Sequence, residues 1–386
     1  MPKIASKIEK LQESSTLAFT AKARDLKAAG VDVIAMTAGE PDFQPPAHIM
    51  AAAREALDLG LTKYTATNGT PELRQAIADK HARENGLSFG LDQIVVANGG
   101  KQVLYEAFAA VLEPGDEVII PEPFWVSYPA QVEMLDGRCV YLPSSADNGF
   151  IPDPDQLESL ITDRTKVIVL NSPSNPTGAV YPPEVVRRFA EVAAKHNVWL
   201  FTDELYEHLV FEGEFTSPAS LAPEHTLVIH GASKGYALTG WRLGWGAGPR
   251  ELISQMAKVQ GQITSGANSV AQHAMTVALN NVEATAAFQA MTRKAYTERR
   301  DVLVSGLNAL GLHTPNPQGA FYVMTDVTPI AADDHTAAMR LLEEAHVGVV
   351  PGGGFNAPGR VRLSYATSLD KVKEAVERIG RLVKQG

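Results

Sequence analysis

Between residues 94 and 260 the chain repeats one pattern, a short apolar run followed by a longer amphipathic stretch. The runs 94–97, 117–120, 166–170, 198–202 and 226–230 are short and rich in Val, Ile and Leu, as buried strands are. The stretches 102–112, 183–196 and 249–260 carry apolar residues at helical spacing. Strands alternating with helices make βαβ units, and these assemble into a mostly parallel sheet. Residues 242–246 follow the last strand too closely for a crossover helix, so an added strand is expected there. From 283 the character changes. A long, charged, periodic helix is expected over 283–310, bridging two parts of the molecule. Strands follow at 320–325, 347–350 and 360–364, with helices at 336–345 and 369–383. The helical pattern 16–29 is expected to pack against this second part. The fold class is therefore α/β, with a large domain over 46–285 and a smaller α+β domain built from both ends, 1–45 and 286–386.

Composition narrows the function classes. The 386 residues suffice for a large core and more than one domain. A hydrophobic content of 45% and a charged content of 20% belong to a folded globular protein. The net charge of −10 argues against nucleic acid and anionic membranes as partners, and leaves a locally basic small-molecule site open. Cys139 is the sole cysteine, so no disulfide can form within the chain. The first ten residues lack the apolar stretch of a signal peptide, and no apolar run reaches the ~18 residues of a membrane span. A cytoplasmic protein is expected.

Lys234 is the most informative single residue. It lies in Gly231-Ala232-Ser233-Lys234-Gly235-Tyr236, just past the 226–230 run, among small and apolar neighbours. Open α/β sheets place their ligand chemistry at the carboxyl ends of strands. Desolvation lowers a lysine from its usual pKa of about 10.4, and the neutral amine can attack a carbonyl to form a Schiff base. Arg242 follows eight residues later, set to bind an anion. Asp203 closes the 198–202 run and puts a carboxylate at another strand end. The loop 171–178, Asn-Ser-Pro-Ser-Asn-Pro-Thr-Gly, is stiffened by its prolines and can hold one amide, Asn175, in place. In 98–102, Asn-Gly-Gly-Lys-Gln, glycines at a helix start let backbone N–H groups meet an anion. Arg362, in the alternating stretch 360–366, can take a carboxylate through two parallel hydrogen bonds. Arg360 on the same face is expected to be exposed. Taken singly, each has an ordinary explanation: a solvated charge for Lys234, a helix cap for Asp203, a packed aromatic for Trp125.

Together they resemble the class I/II aminotransferases of pyridoxal-phosphate (PLP) fold type I, over about residues 15–383. The motifs are S-K-x7-R at Ser233, Lys234 and Arg242, the 171–178 loop, which matches N-P-x-N-P-T-G except for serine at position 172, and R-L-S-Y-A from Arg362. The resemblance is greatest to the bacterial aspartate aminotransferase subgroup Iγ, some members of which aminate prephenate. It implies that Lys234 holds PLP covalently and is the catalytic base. Asp203 would pair with the pyridinium nitrogen, Tyr206 and Asn175 would bond the ring's phenolic oxygen, and Trp125 would stack on the ring. Gly100, Ser233 and Arg242 would hold the phosphate, with Tyr64 reaching across a homodimer. Arg362 would take the substrate α-carboxylate, Gly39 would cover the substrate from a mobile loop, and Lys101 would bind a distal carboxylate or the phosphate. Where prephenate users carry a basic residue near the N-terminus this chain has Gln12, though Thr16 is kept.

The implied reaction moves the amino group of L-aspartate to 2-oxoglutarate, giving oxaloacetate and L-glutamate. Other donors (aromatic, alanine, prephenate with glutamate) and a β-lyase on the same fold stay open, because reaction choice depends on which Cα bond stands perpendicular to the ring. A nicotinamide-dependent dehydrogenase would need G-x-G-x-x-G after a first strand, and neither 244–248 nor 352–354 supplies it in that context. The ten histidines are scattered without a metal motif, so no metal is expected. A non-catalytic PLP-binding regulator would need a DNA-binding module, and no basic extension is present. The expected partners are amino acids, 2-oxo acids and a second copy of the chain.

Overall fold

The computed structural model describes residues 3–9, 11 and 15–384. Gln12 lies outside the described residues. The strands are β1 (Ile34–Ala35), β2 (Ile94–Ala97), β3 (Glu117–Pro121), β4 (Arg138–Leu142), β5 (Thr165–Asn171), β6 (Trp199–Asp203), β7 (Thr226–Gly231), β8 (Gly244–Ala247), β9 (Tyr322–Asp326), β10 (Val347–Gly348), β11 (Val350–Pro351) and β12 (Arg360–Ser364). β2 to β8 form one sheet in the order β2-β8-β7-β6-β5-β3-β4. Its pairs are parallel except those of β8, which is antiparallel to β7 and to β2. The link from β7 to β8 holds only turns and the 3-10 helix Thr239–Trp241, too little for a parallel crossover.

Successive residues of the central strands serve opposite faces. Val118, Ile120, Val167, Val169 and Phe201 pack with the helices Gly100–Val111 and Arg250–Ile263. Ile119, Ile168, Leu170 and Leu200 pack on the other side with the helix Pro183–His196. Both faces are covered, which is why these strands read as continuous apolar runs. The sequence pattern did not predict β4. It is an edge strand, Arg-Cys-Val-Tyr-Leu, with Arg138 and Tyr141 exposed, so it lacks the apolar density of its neighbours.

The chain's second part centres on the antiparallel sheet β11-β12-β9 and the β1–β10 pair. The single strand expected at 347–350 is two. Val347–Gly348 pairs with β1 and Val350–Pro351 with β12, so two different partners satisfy its backbone groups. The helix Ser15–Ala28 buries Phe19 and Ala23 here, as expected. A Cβ on Gly348 would come within 3.2 Å of the Ala23 methyl, so glycine sets that approach. The helix Val282–Ala309 sends Tyr296, Leu303 and Leu307 into a core shared with Phe321, Val361 and Tyr365. Among the described residues no helix is long and apolar enough to cross a membrane.

The sheet gathers its strand ends. β8 reverses direction between two neighbours, so β2 ends on the same edge as β5, β6 and β7. Asn171 and Asp203 are opposite each other in the β5–β6 register, and Asp203 is opposite Ile229 of β7. The turn carrying Lys234 begins immediately beyond β7.

Candidate active site

A cleft of about 200 Å³ opens at that edge. Gly39, Lys101, Trp125, Asn175, Asp203, Tyr206, Lys234 and Arg362, all expected from the sequence, line it. The Asn175 N–H donates to Asn171 Oδ1 at 2.8 Å, and Asn171 Nδ2 donates to the Asp203 carbonyl at 3.0 Å, which ties the proline loop to two strand ends. Arg362 is 1% exposed. Its Nη1 donates to Asn175 Oδ1 at 2.9 Å and its Nη2 to the Thr37 carbonyl at 2.9 Å, while Nε is buried with no partner. Arg360 is half-buried rather than exposed. Its guanidinium lies 5.5 Å from the Phe150 ring centre, so the alternation that buries Arg362 does not leave Arg360 in solvent.

Burial sets the electrostatics. It lowers the Lys234 amine to about 8, with the Arg362 charge acting in the same direction and Glu40 and Asp203 opposing. The amine donates to the Gly39 carbonyl, so the 39–42 loop and the lysine meet across the cleft. Burial also raises Asp203, which the bond from Tyr128, the Leu205 N–H and the Lys234 charge pull back. Lys101 is lowered by burial and then by Arg242, and its Nζ leans over the Trp125 ring at 4.9 Å.

Other expected residues lie around the cleft rather than in its lining. Gly100 is the first residue of the helix Gly100–Val111. Ser233 is buried beside Lys234. Arg242 adopts φ 54° in the left-handed region, donates from Nη1 to the Thr239 carbonyl at 2.7 Å, and lines an adjoining hollow with Asn98. Tyr64 is 92% exposed and does not reach the cleft of its own chain.

Among the lining residues that sequence reasoning missed, three make side-chain hydrogen bonds that shape the cleft. Tyr128 donates to Asp203 Oδ2 at 2.7 Å. It lies in the first turn of the helix Ser127–Met134 just after Trp125, a segment the sequence had already singled out. Asn171 ends β5 as Asp203 ends β6, which is the same signal. The Tyr322 and Tyr206 hydroxyls lie in hydrogen-bond contact at 2.9 Å, and nothing local in the sequence pairs them. The histidines are less scattered than the sequence suggests. His208 and His230 converge on Glu207 at 3.3 and 2.9 Å. The buried Lys80 ammonium already contacts that carboxylate, so a cation's seat there is filled by the protein's own charge. A hollow of about 440 Å³ beside this cluster, lined by Arg83, Glu84, Tyr236 and Gln289, is separate from the Lys234 cleft.

Residues 31–379 match the family model for aminotransferase class I and II. The chain is 50% identical to the aspartate/prephenate aminotransferase of Thermus thermophilus over 98% of both chains. It belongs to the class I and II aminotransferases. It is also 46% identical to an aspartate aminotransferase of Rhizobium meliloti, covering 97% of this chain and 95% of that one. A solved aspartate aminotransferase from Thermus thermophilus with maleate superposes with a TM-score of 0.97 at 50% identity, over 99% of this chain and 100% of that one.

The aminotransferase family uses PLP, and the residues present fit it. Asp203 is a buried carboxylate suited to a pyridinium partner. Lys234 is a half-buried lysine whose amine, lowered by desolvation to about 8, is poised for a carbonyl. A Cβ on Gly99, at φ +90°, would come within 2.9 Å of Arg242 Nη2, so glycine leaves room for an anion between the helix start and the arginine.

Proposed function

We propose that this aminotransferase takes L-aspartate as donor and 2-oxoglutarate as acceptor, in the cytoplasm, as a homodimer. The observation that supports the substrate reading most is one cleft lined by Lys234 and by two further cationic side chains, Arg362 and Lys101. A dicarboxylate needs two such charges. The names of the aspartate aminotransferase relatives point the same way.

In this reading Lys234, Asp203, Tyr206, Asn175, Trp125, Gly100, Ser233 and Arg242 hold PLP, with Tyr64 contributed by the second copy. When bound, PLP supplies an electron sink for the carbanion at the substrate Cα. Arg362 fixes the α-carboxylate, with Asn175 and Thr37 holding its guanidinium in place. Lys234 Nζ takes the proton from Cα, and a pKa near 8 suits a base working close to neutrality. Tyr128 keeps Asp203 oriented and charged against the cost of its burial. The Gly39 loop covers the cleft and excludes water. The same reading assigns 46–285 to a PLP-binding domain and 1–45 with 286–386 to a smaller domain.

A panel of amino donors assayed against 2-oxoglutarate tests the substrate. Aspartate should lead in that panel; glutamate, whose transfer to 2-oxoglutarate only regenerates the same pair, should turn over with oxaloacetate as acceptor, and prephenate should be a weak acceptor from it. Better turnover of alanine or phenylalanine would overturn the dicarboxylate reading, and ammonia release without an oxo-acid acceptor would make the protein a lyase.

The dimer has its own test. Tyr64 is exposed, as are nearby Leu57 and Leu59, an apolar surface suited to a second copy. Losing one phosphate hydrogen bond costs about 0.5–1.5 kcal/mol, so Tyr64→Phe should raise the PLP Kd by roughly 2- to 13-fold. A fully active monomer in sedimentation at assay concentration would contradict both the dimer and the shared site.

A further inference from the structure

The Tyr322 hydroxyl occupies an unusual position. Its oxygen lies 2.9 Å from the Tyr206 hydroxyl, and the Arg362 guanidinium sits 4.6 Å over its ring. All three side chains are buried. They come from separate elements: Tyr322 from β9, Arg362 from β12, and Tyr206 from the turn after β6. Tyr322 and Arg362 are cross-strand neighbours in adjacent registers, since Arg362 pairs with Met324 and Ser364 with Tyr322. Gly39 closes the arrangement from above, where a Cβ would come within 3.3 Å of the Tyr322 oxygen. A phenylalanine at 322 would satisfy the packing. The hydroxyl therefore calls for a polar reason.

The geometry points to Tyr322 as a positioning residue that relays the charge state of Arg362 to Tyr206, so that carboxylate binding retunes the hydrogen bond Tyr206 offers into the cleft. This rests on the reading that Arg362 takes the substrate carboxylate and Tyr206 faces the cofactor's phenolic oxygen. A cation over a phenol ring stabilises negative charge on its oxygen and makes its O–H a stronger donor. A Tyr322 that donates to Tyr206 makes Tyr206 a stronger donor in turn, because linked hydrogen bonds polarise one another. A carboxylate arriving on Arg362 offsets the guanidinium charge and relaxes the chain. The other charged or titratable groups facing the pair are Glu40 and Tyr365 near Tyr322, and Asp203 and Lys234 near Tyr206. All are unchanged by a substitution at 322, so they cancel in the difference.

The test uses PLP-loaded protein and maleate, a dicarboxylate that cannot react. The readout is the pH midpoint of the visible absorbance, with and without maleate. Strong donors to the phenolic oxygen lower that midpoint. Tyr322→Phe keeps the ring under Arg362 and removes one hydroxyl, so the midpoint without maleate should rise by about 0.4 to 1 pH unit. The additional displacement that maleate causes should shrink by a comparable amount, with thermal stability and maleate affinity close to the parent's. In a Tyr206→Phe background the Tyr322→Phe effect should vanish. A midpoint that does not move overturns the proposal while leaving the aminotransferase reading intact. So does a midpoint that rises equally with and without maleate, because Arg362 is then not coupled. Protein that shows no visible PLP band overturns the functional reading and the relay with it. Should Tyr322→Phe not fold, Tyr206→Phe alone decides: the maleate displacement must shrink, and an unchanged one overturns the relay.

Discussion

Lys234→Ala is expected to bind PLP weakly and to lose turnover by roughly 10⁴-fold or more, the upper range for removal of a positioned general base. In the proposed reading the loss exceeds that of any other single change, because Lys234 would serve twice, as the covalent anchor and as the base at Cα. Its neighbourhood explains why this lysine can do both. Burial is the main influence bringing its amine down to about 8, and the Arg362 charge adds to it. The sign has a consequence for loading. Below pH 8 the ammonium predominates and cannot attack a carbonyl, so capture of PLP by the apoprotein should accelerate as pH rises through about 8 and level off above it. Lys234→Ala should show no such step. Borohydride reduction of the loaded protein followed by peptide mapping should label Lys234, and label on any other lysine would overturn the assignment.

The parts of this site that the sequence made legible share a physical cause. Lys234, Asp203, Asn175 and the Gly99-Gly100 turn all lie at or just past strand ends of one sheet, and strands buried on both faces announce themselves as apolar runs. Once the runs are placed, the polar residues that close them are conspicuous. What escaped depends on long-range geometry. Tyr322 and Tyr206 are separated by 116 positions, and neither one's neighbours in sequence hint at the hydroxyl contact. Lys80, Glu207 and His230 come from a helix, a 3-10 helix and a strand, so the two histidines around this buried ion pair read as scattered in the sequence. β4 escaped because an edge strand needs little hydrophobicity. The break between β10 and β11 escaped because the division depends on partners, β1 and β12, that are distant in sequence. Arg360 was misread for a related reason, since strand alternation says which face a residue shares and not what covers that face.

Lys101→Ala should separate dicarboxylate donors from the rest. Arg362 can take the α-carboxylate of any amino acid, so it gives no preference for aspartate. Lys101 lines the same cleft with its ammonium over Trp125, and is the remaining cation positioned to meet a side-chain carboxylate. Burial and the nearby Arg242 lower its pKa, so a carboxylate arriving there relieves an unfavourable charge as well as gaining a hydrogen bond. A charge-assisted hydrogen bond contributes about 1.5–3 kcal/mol, equivalent to roughly 10- to 150-fold in kcat/KM for aspartate. The side chain as a whole is exposed, and solvent screening places the expectation toward the lower end of that range. Alanine and phenylalanine as donors should be nearly unaffected. The discriminating measurement is the ratio of the two classes. If aspartate and phenylalanine fall together and the PLP Kd rises, Lys101 serves the phosphate beside Arg242, and the preference for aspartate must come from a residue outside this cleft's lining.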